Sequence, residues 1–223
     1  MIRIGDVAMR NYTDSEFFNS PYRGVTSVLN AIFGNKFENS GIPEHVLKAA
    51  AERGTACHSY IEKYQKWLLS DELKEEDEPH LGLEYAQYET NFKKWLEERC
   101  EIVQPILIEH KIISKKLGIK GIIDCVAEFQ NKGEIDSFIA LTDWKSSSNL
   151  DLWTTECQLQ LYYLMLTKGN KQERLLAKRI TELRCLSITK TGYRWFKFKI
   201  DKKLGEAILT LWNTHYREIE ERR

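Results

Sequence analysis

The sequence predicts an α/β fold, a β-sheet flanked by helices, from three changes of pattern along the chain. Apolar residues recur at helical spacing through most of the first hundred residues. Between residues 103 and 145 the pattern turns into three short β-branched runs. Helical spacing returns at 151–167, a two-stranded pattern follows at 180–200, and an amphipathic segment closes the chain.

Residues 1–25 show no regular period, and Thr26–Ile32 reads as a short helix or turn. Pro43 suits the first turn of a helix, which runs through His45, Leu47 and Ala50 toward Gly54. A second helical pattern at 55–69 carries Ile61, Tyr64 and Leu68, and the acidic run 71–78 reads as a solvated loop. A further helix is expected over 81–99, through Leu83, Tyr85, Phe92 and Trp95.

Val103–Ile113, Ile119–Phe129 and Ser137–Lys145 read as a three-strand meander. After the helix at 151–167, Ile180–Thr189 and Tyr193–Ile200 form a hairpin across Lys190-Thr191-Gly192. Asp201–Arg222 is predicted as a helix through Leu204, Ile208 and Trp212. With no repeat or low-complexity linker, the expectation is one domain over 1–223. Residues 1–100 form a mainly helical part, 101–200 the sheet core and 201–223 a C-terminal helix.

A chain of 223 residues, 42% hydrophobic and 30% charged, can bury a core. No apolar run approaches the ~20 residues that span a bilayer, so no membrane partner is expected. The N-terminus has no apolar signal-peptide core, and the expected location is cytoplasmic, in a bacterium or a phage-infected host cell. Five cysteines (Cys57, Cys100, Cys125, Cys157, Cys185) are scattered without Cys-x-x-Cys spacing, which fits reduced core thiols and no iron–sulfur cluster. Net charge is zero, yet residues 101–200 hold 16 Lys+Arg against 11 Asp+Glu. That basic half is compatible with phosphate binding. The oligomeric state stays open, a monomer being compatible with the sequence.

The basic half also carries the chemistry. Side chains alternate along a strand, so Asp143 and Lys145 share a face with Ile139 and Leu141, while Asp124 shares one with Ile122. A carboxylate on an apolar strand face is costly unless compensated. A divalent ion such as Mg²⁺ or Mn²⁺, which prefers oxygen ligands, would compensate it. A neighbouring lysine can then stabilise charge developing on a phosphate oxygen. The bland alternative is a buried Asp–Lys ion pair, or strand ends that point into solvent. Upstream, His58 and Glu62 lie four apart on one helical face and could add one nitrogen and one oxygen, the nitrogen favouring Mn²⁺. Gln158 and Tyr162 are also four apart, on a helix that could equally be only half-buried.

Four motifs therefore stand in order: Gly54-x-x-x-His58-x-x-x-Glu62, Gly121-Ile122-Ile123-Asp124, Asp143-Trp144-Lys145 and Gln158-x-x-x-Tyr162. Together they resemble the RecB-type branch of the PD-(D/E)XK nucleases, within which the segments 121–130 and 142–147 most resemble the mitochondrial genome maintenance exonuclease group and its phage and bacterial relatives. The resemblance covers roughly residues 21–200.

It implies a restriction-endonuclease-like fold, a central mixed sheet flanked by helices. It also implies a Mg²⁺- or Mn²⁺-dependent exonuclease acting on DNA, single strands or free ends, in replication, repair or recombination. Asp124 and Asp143 would bind metal with His58 and Glu62, Lys145 would be catalytic, and Gln158 and Tyr162 would orient the site or the DNA backbone. Thr26, Ser27, Lys120, Trp144, Ser146 and Tyr162 would meet DNA, with Gly24 standing where the family has a serine. The alternatives are an endonuclease or end-trimming subunit of a larger complex, and a DNA-binding protein that kept the fold and lost the chemistry.

Overall fold

The structure, a computed structural model, describes residues 12–34, 41–70 and 74–216, and the side chains of all of these except 101, 102, 215 and 216. Part of the predicted N-terminal irregular stretch (1–11), of the acidic run (71–73) and of the last helix (217–222) lies outside the described residues.

The chain opens with α1 (Asp14–Phe18), β1 (Arg23–Gly24), α2 (Val25–Phe33) and α3 (Glu44–Leu68). Short 3-10 turns at Glu75–Asp77 and Leu83–Tyr85 lead to α4 (Ala86–Arg99). The meander follows as β2 (Cys100–Ser114), β3 (Ile119–Asn131) and β4 (Ser137–Lys145). Then come α5 (Leu152–Lys168), α6 (Lys171–Arg179), β5 (Ile180–Thr189), β6 (Gly192–Phe198) and α7 (Lys202–Leu211), with a π turn at Trp212–Tyr216.

Three differences from the sequence reading have local causes. The two helices expected around Gly54 are one 25-residue helix, α3. A glycine inside a helix costs about 1 kcal/mol, less than its C-terminal half recovers by burying Cys57, Tyr60, Ile61 and Gln65. Helices α1 and α6 were not foreseen. Each starts at a capping box: the Thr13 side chain accepts from the Glu16 N–H, and that of Asn170 from the Glu173 N–H, with both glutamates reaching back.

The sheet is mixed. Strands β2, β3 and β4 pair antiparallel, β4 and β5 parallel, β5 and β6 antiparallel, and β1 adds two parallel pairs to the start of β3. One face, through Ile119, Ile123, Leu141 and Leu183, packs on α2, α5, α6 and α7. The other, through Cys125, Ala127, Phe129, Ala140 and Leu186, packs on α3 and α4, whose Tyr60, Phe92 and Trp95 build an aromatic cluster with Phe129 and Trp144.

The two layers leave an opening. Along one side of β3, β1 pairs only with Ile119 and Lys120, and β4 only with Cys125 through Gln130. Gly121 to Asp124 are bordered there by neither strand, while β4 beyond Thr142 continues on β5 alone. The sheet splays at this point. Helices from both faces reach it.

Candidate active site

A main-chain donor freed by the splaying must find another partner. The Trp144 N–H donates to Oδ2 of Asp124 at 2.8 Å, bridging β4 and β3 where their ladder stops. The Trp144 indole itself is buried against Trp95. It is therefore a core residue that presents its backbone to the site, not its ring.

Asp143, one position earlier on β4, is 1% exposed. Its Oδ1 accepts from Lys145 Nζ at 2.8 Å and from Gln158 Nε2 at 2.9 Å. Lys145 also donates to Gln158 Oε1 at 3.4 Å, and Gln158 Nε2 lies 3.4 Å from the Tyr162 hydroxyl. These contacts join the ends of two sequence motifs across β4 and α5. Burial alone would lower the Lys145 ammonium, but Asp143 and Asp124 hold it above the ordinary lysine value. Burial, the largest effect, and the nearby Asp124 and Asp143 raise the Tyr162 phenol, so it stays protonated.

On the other side of Asp124, α3 supplies His58. Its Nδ1 lies 3.7 Å from Asp124 Oδ2 and 3.7 Å from Oε1 of Glu109. The register that pairs Ile108 with Cys125 and His110 with Ile123 sets Glu109 of β2 across from Asp124. Glu109 has φ 46, the one positive φ at a non-glycine among the described residues. Such a conformation costs roughly 1–2 kcal/mol in an L-residue and concentrates at functional positions.

His58, Glu109 and Asp124 offer ligand atoms all within 4.8 Å of one another. Their electrostatics ask for a cation. Burial raises the Asp124 carboxyl to about 7, and the Asp143 charge adds to it. Burial would lower the His58 imidazole, yet Glu109, Asp124 and Asp143 together raise it to about 9. One imidazole nitrogen and carboxylate oxygens, crowded by like charge, form a donor set that fits Mg²⁺ or Mn²⁺.

The other expected site residues fall in several places. Glu62 lies one turn beyond His58, pairs with Lys66 at 2.5 Å, and stands outside the three-residue group. Thr26 and Ser27 are exposed at the start of α2. Ser146 follows β4 beside Gly54 of α3. Lys120 does not point a free charge outward: its Nζ donates to the carbonyls of Phe17 (2.8 Å), Phe18 (3.2 Å) and Ser20 (3.1 Å). It secures the end of α1 to β3.

Sequence reasoning missed Glu109. The available signal was a lone acidic residue in the apolar run Ile106-Leu107-Ile108-Glu109. Its value depended on the β2–β3 register.

The family model of the PD-(D/E)XK nuclease superfamily matches residues 35–193. No curated protein matches the chain. Among solved structures, the crystal structure of SSO0001 is similar at 14% identity over 85% of this chain and 85% of that one, with a TM-score of 0.27. At that level the likeness carries no argument. Among the described residues no helix is long and apolar enough to cross a membrane.

Proposed function

Since the chain belongs to the PD-(D/E)XK nuclease superfamily, whose members are metal-dependent nucleases, we propose that it is a DNA exonuclease of the RecB-type branch. It digests single strands or free ends with Mg²⁺ or Mn²⁺. The observation that carries the reading is the facing of two groups across the splayed sheet. Asp143, Lys145, Gln158 and Tyr162 are linked on one side, and His58, Glu109 and Asp124 converge on the other.

His58, Glu109, Asp124 and Asp143 would hold the ion. Bound there, it supplies a Lewis acid for the phosphoryl oxygen and an acidified water. The chain's own residues do the rest. Lys145, kept protonated by the two aspartates, donates to a non-bridging oxygen of the scissile phosphate as its charge grows. Gln158 holds the Asp143 carboxylate and the Lys145 ammonium in one orientation, and Tyr162 fixes Gln158 from the next turn of α5. The ordered motifs from Gly54 to Tyr162 support the RecB-type assignment, because the helix histidine and the Gln-x-x-x-Tyr pair meet at one centre.

The test is a set of labelled single strands, 5′-blocked, 3′-blocked and circular, each incubated in Mg²⁺ and in Mn²⁺. An exonuclease degrades one blocked linear substrate and spares the circle. Cutting of the circle would make the protein an endonuclease. No cleavage in either metal would leave only a binding protein.

A further inference from the structure

Lys145 pairs with Ser187 and Ser187 with Arg194, so the three stand in one row across β4, β5 and β6. With strands roughly 4.8 Å apart, the row spans about 10 Å. The side chains share a direction. Ser187 Oγ donates to the Ser147 carbonyl and Arg194 Nη2 to the Ser148 carbonyl, each at 3.0 Å, and both acceptors lie on the loop that leaves Lys145.

At the end of the row lies a cleft of about 240 Å³ formed by Ser148, Thr189, Thr191, Gly192, Tyr193 and Arg194. A second cleft, of about 580 Å³, begins at the same Tyr193 and Arg194 and adds Arg99, which donates to the Tyr193 hydroxyl, and Lys132, which donates to the Glu97 carbonyl, beside the carboxylates of Glu98 and Glu134. Other basic residues of the sheet are engaged elsewhere: Lys111 pairs with Asp14 at 2.7 Å and Lys120 holds three carbonyls. Arg194 is exposed, lies over the Phe196 ring at 5.4 Å and uses one nitrogen on Ser148. A guanidinium has five N–H donors in a planar fork that matches phosphate oxygens.

Resting on the nuclease reading, we infer that Arg194 holds a backbone phosphate neighbouring the scissile one, and that the strand leaves the catalytic face across β5 into the clefts at the β6 edge. Lys145 meets the phosphate being cut, and Arg194 meets one further along the same strand. The row gives the line of that path, between β4 and β6.

The experiment measures binding of the full chain to a short fluorescent single strand in Ca²⁺ by anisotropy. Uncharged methylphosphonates replace the linkages one at a time, for wild type, Arg194→Ala and Arg194→Lys. Wild type should lose roughly tenfold in affinity at one linkage near the cut position. Arg194→Ala should bind the natural strand as weakly as that, be indifferent to that methylphosphonate, and lose about 0.7 from its slope of log affinity against log salt. Arg194→Lys should keep the slope.

The same methylphosphonate profile in Arg194→Ala as in wild type overturns the inference, as does an unchanged salt slope or no binding by wild type. A protein that binds with the expected profile but cleaves nothing in Mg²⁺ or Mn²⁺ overturns the nuclease reading and leaves the strand path standing. A protein that cleaves but has no Arg194-dependent linkage does the reverse.

Discussion

The backbone N–H of Trp144 donates to Oδ2 of Asp124 at 2.8 Å, and that bond fixes a carboxylate at the point where β3 and β4 part. The indole on the same residue is 2% exposed against Trp95, so the aromatic cluster between the sheet and α4 anchors the bond. Trp144→Ala should cost about 3–5 kcal/mol in stability and weaken binding of Mn²⁺, because the main chain that holds Asp124 loses its anchor. Trp144→Phe should recover most of both. Denaturant titrations with and without Mn²⁺ check this, and equal Mn²⁺ affinity in Trp144→Ala and wild type would refute the anchoring role.

Asp124 and His58 give the metal-free protein a definite pH dependence. The Asp124 carboxyl rises from 3.8 to about 7, through burial first and then Asp143. The His58 imidazole rises from 6.5 to about 9, because Glu109, Asp124 and Asp143 outweigh its burial. Both folded values lie above the unfolded ones. Each group's contribution is therefore complete below its unfolded value and lost as pH climbs through its folded value. In EDTA the Tm should fall as pH rises from about 4 to about 9, the two groups titrating as a pair. Asp124→Asn should make that fall shallower, melt above wild type in EDTA at pH 8, and gain nothing from added Mn²⁺. A lower Tm for Asp124→Asn under those conditions would contradict the account.

Lys145 is joined to Asp143 and Gln158, and Asp143 and Asp124 keep it protonated at neutral pH. Under the proposed nuclease reading its role is charge stabilisation. Lys145→Ala should lower kcat at least about a hundredfold while circular dichroism and Mn²⁺ binding stay near wild type. Single-turnover cleavage of a labelled strand provides the measurement; full activity would remove Lys145 from the chemistry.

Glu109 combines a proposed ligand position with φ 46°. Asparagine tolerates that backbone better than glutamate does, but its shorter side chain cannot present a carboxylate oxygen there. Glu109→Asn should be at least as stable as wild type in EDTA, by up to about 1 kcal/mol, and bind Mn²⁺ at least about tenfold more weakly. Calorimetric titration beside thermal unfolding separates the two effects.

Gly121 has no room for a side chain. A Cβ there would run into the Tyr162 ring and approach Val25 Cγ2 at 3.3 Å. Gly121→Ala should cost about 1–3 kcal/mol and push Tyr162 away from Gln158, reducing kcat as well as Tm. An active, stable Gly121→Ala protein would show that the Tyr162 position is not needed.

The meander, α5 and the β5–β6 hairpin were legible because their period is local and each lies close to the predicted bounds. The capping boxes at Thr13 and Asn170 were also written in the sequence, but they open helices of 5 and 9 residues, too short for a strong period. Gly54 suggested a break where α3 continues, since burial of the residues after it outweighs glycine's propensity.

The sequence by itself determined which residues share a strand face or a helix turn: Asp143 with Lys145, and Gln158 with Tyr162. Those relations follow from backbone geometry within a few residues. Only the tertiary structure decided that Glu109 stands across from Asp124, that Trp144 offers its N–H while its ring is buried, that Lys120 secures α1, and that Lys145 and Arg194 lie in one row. Each of these depends on strand register or packing between residues far apart in the chain, and no local period encodes that.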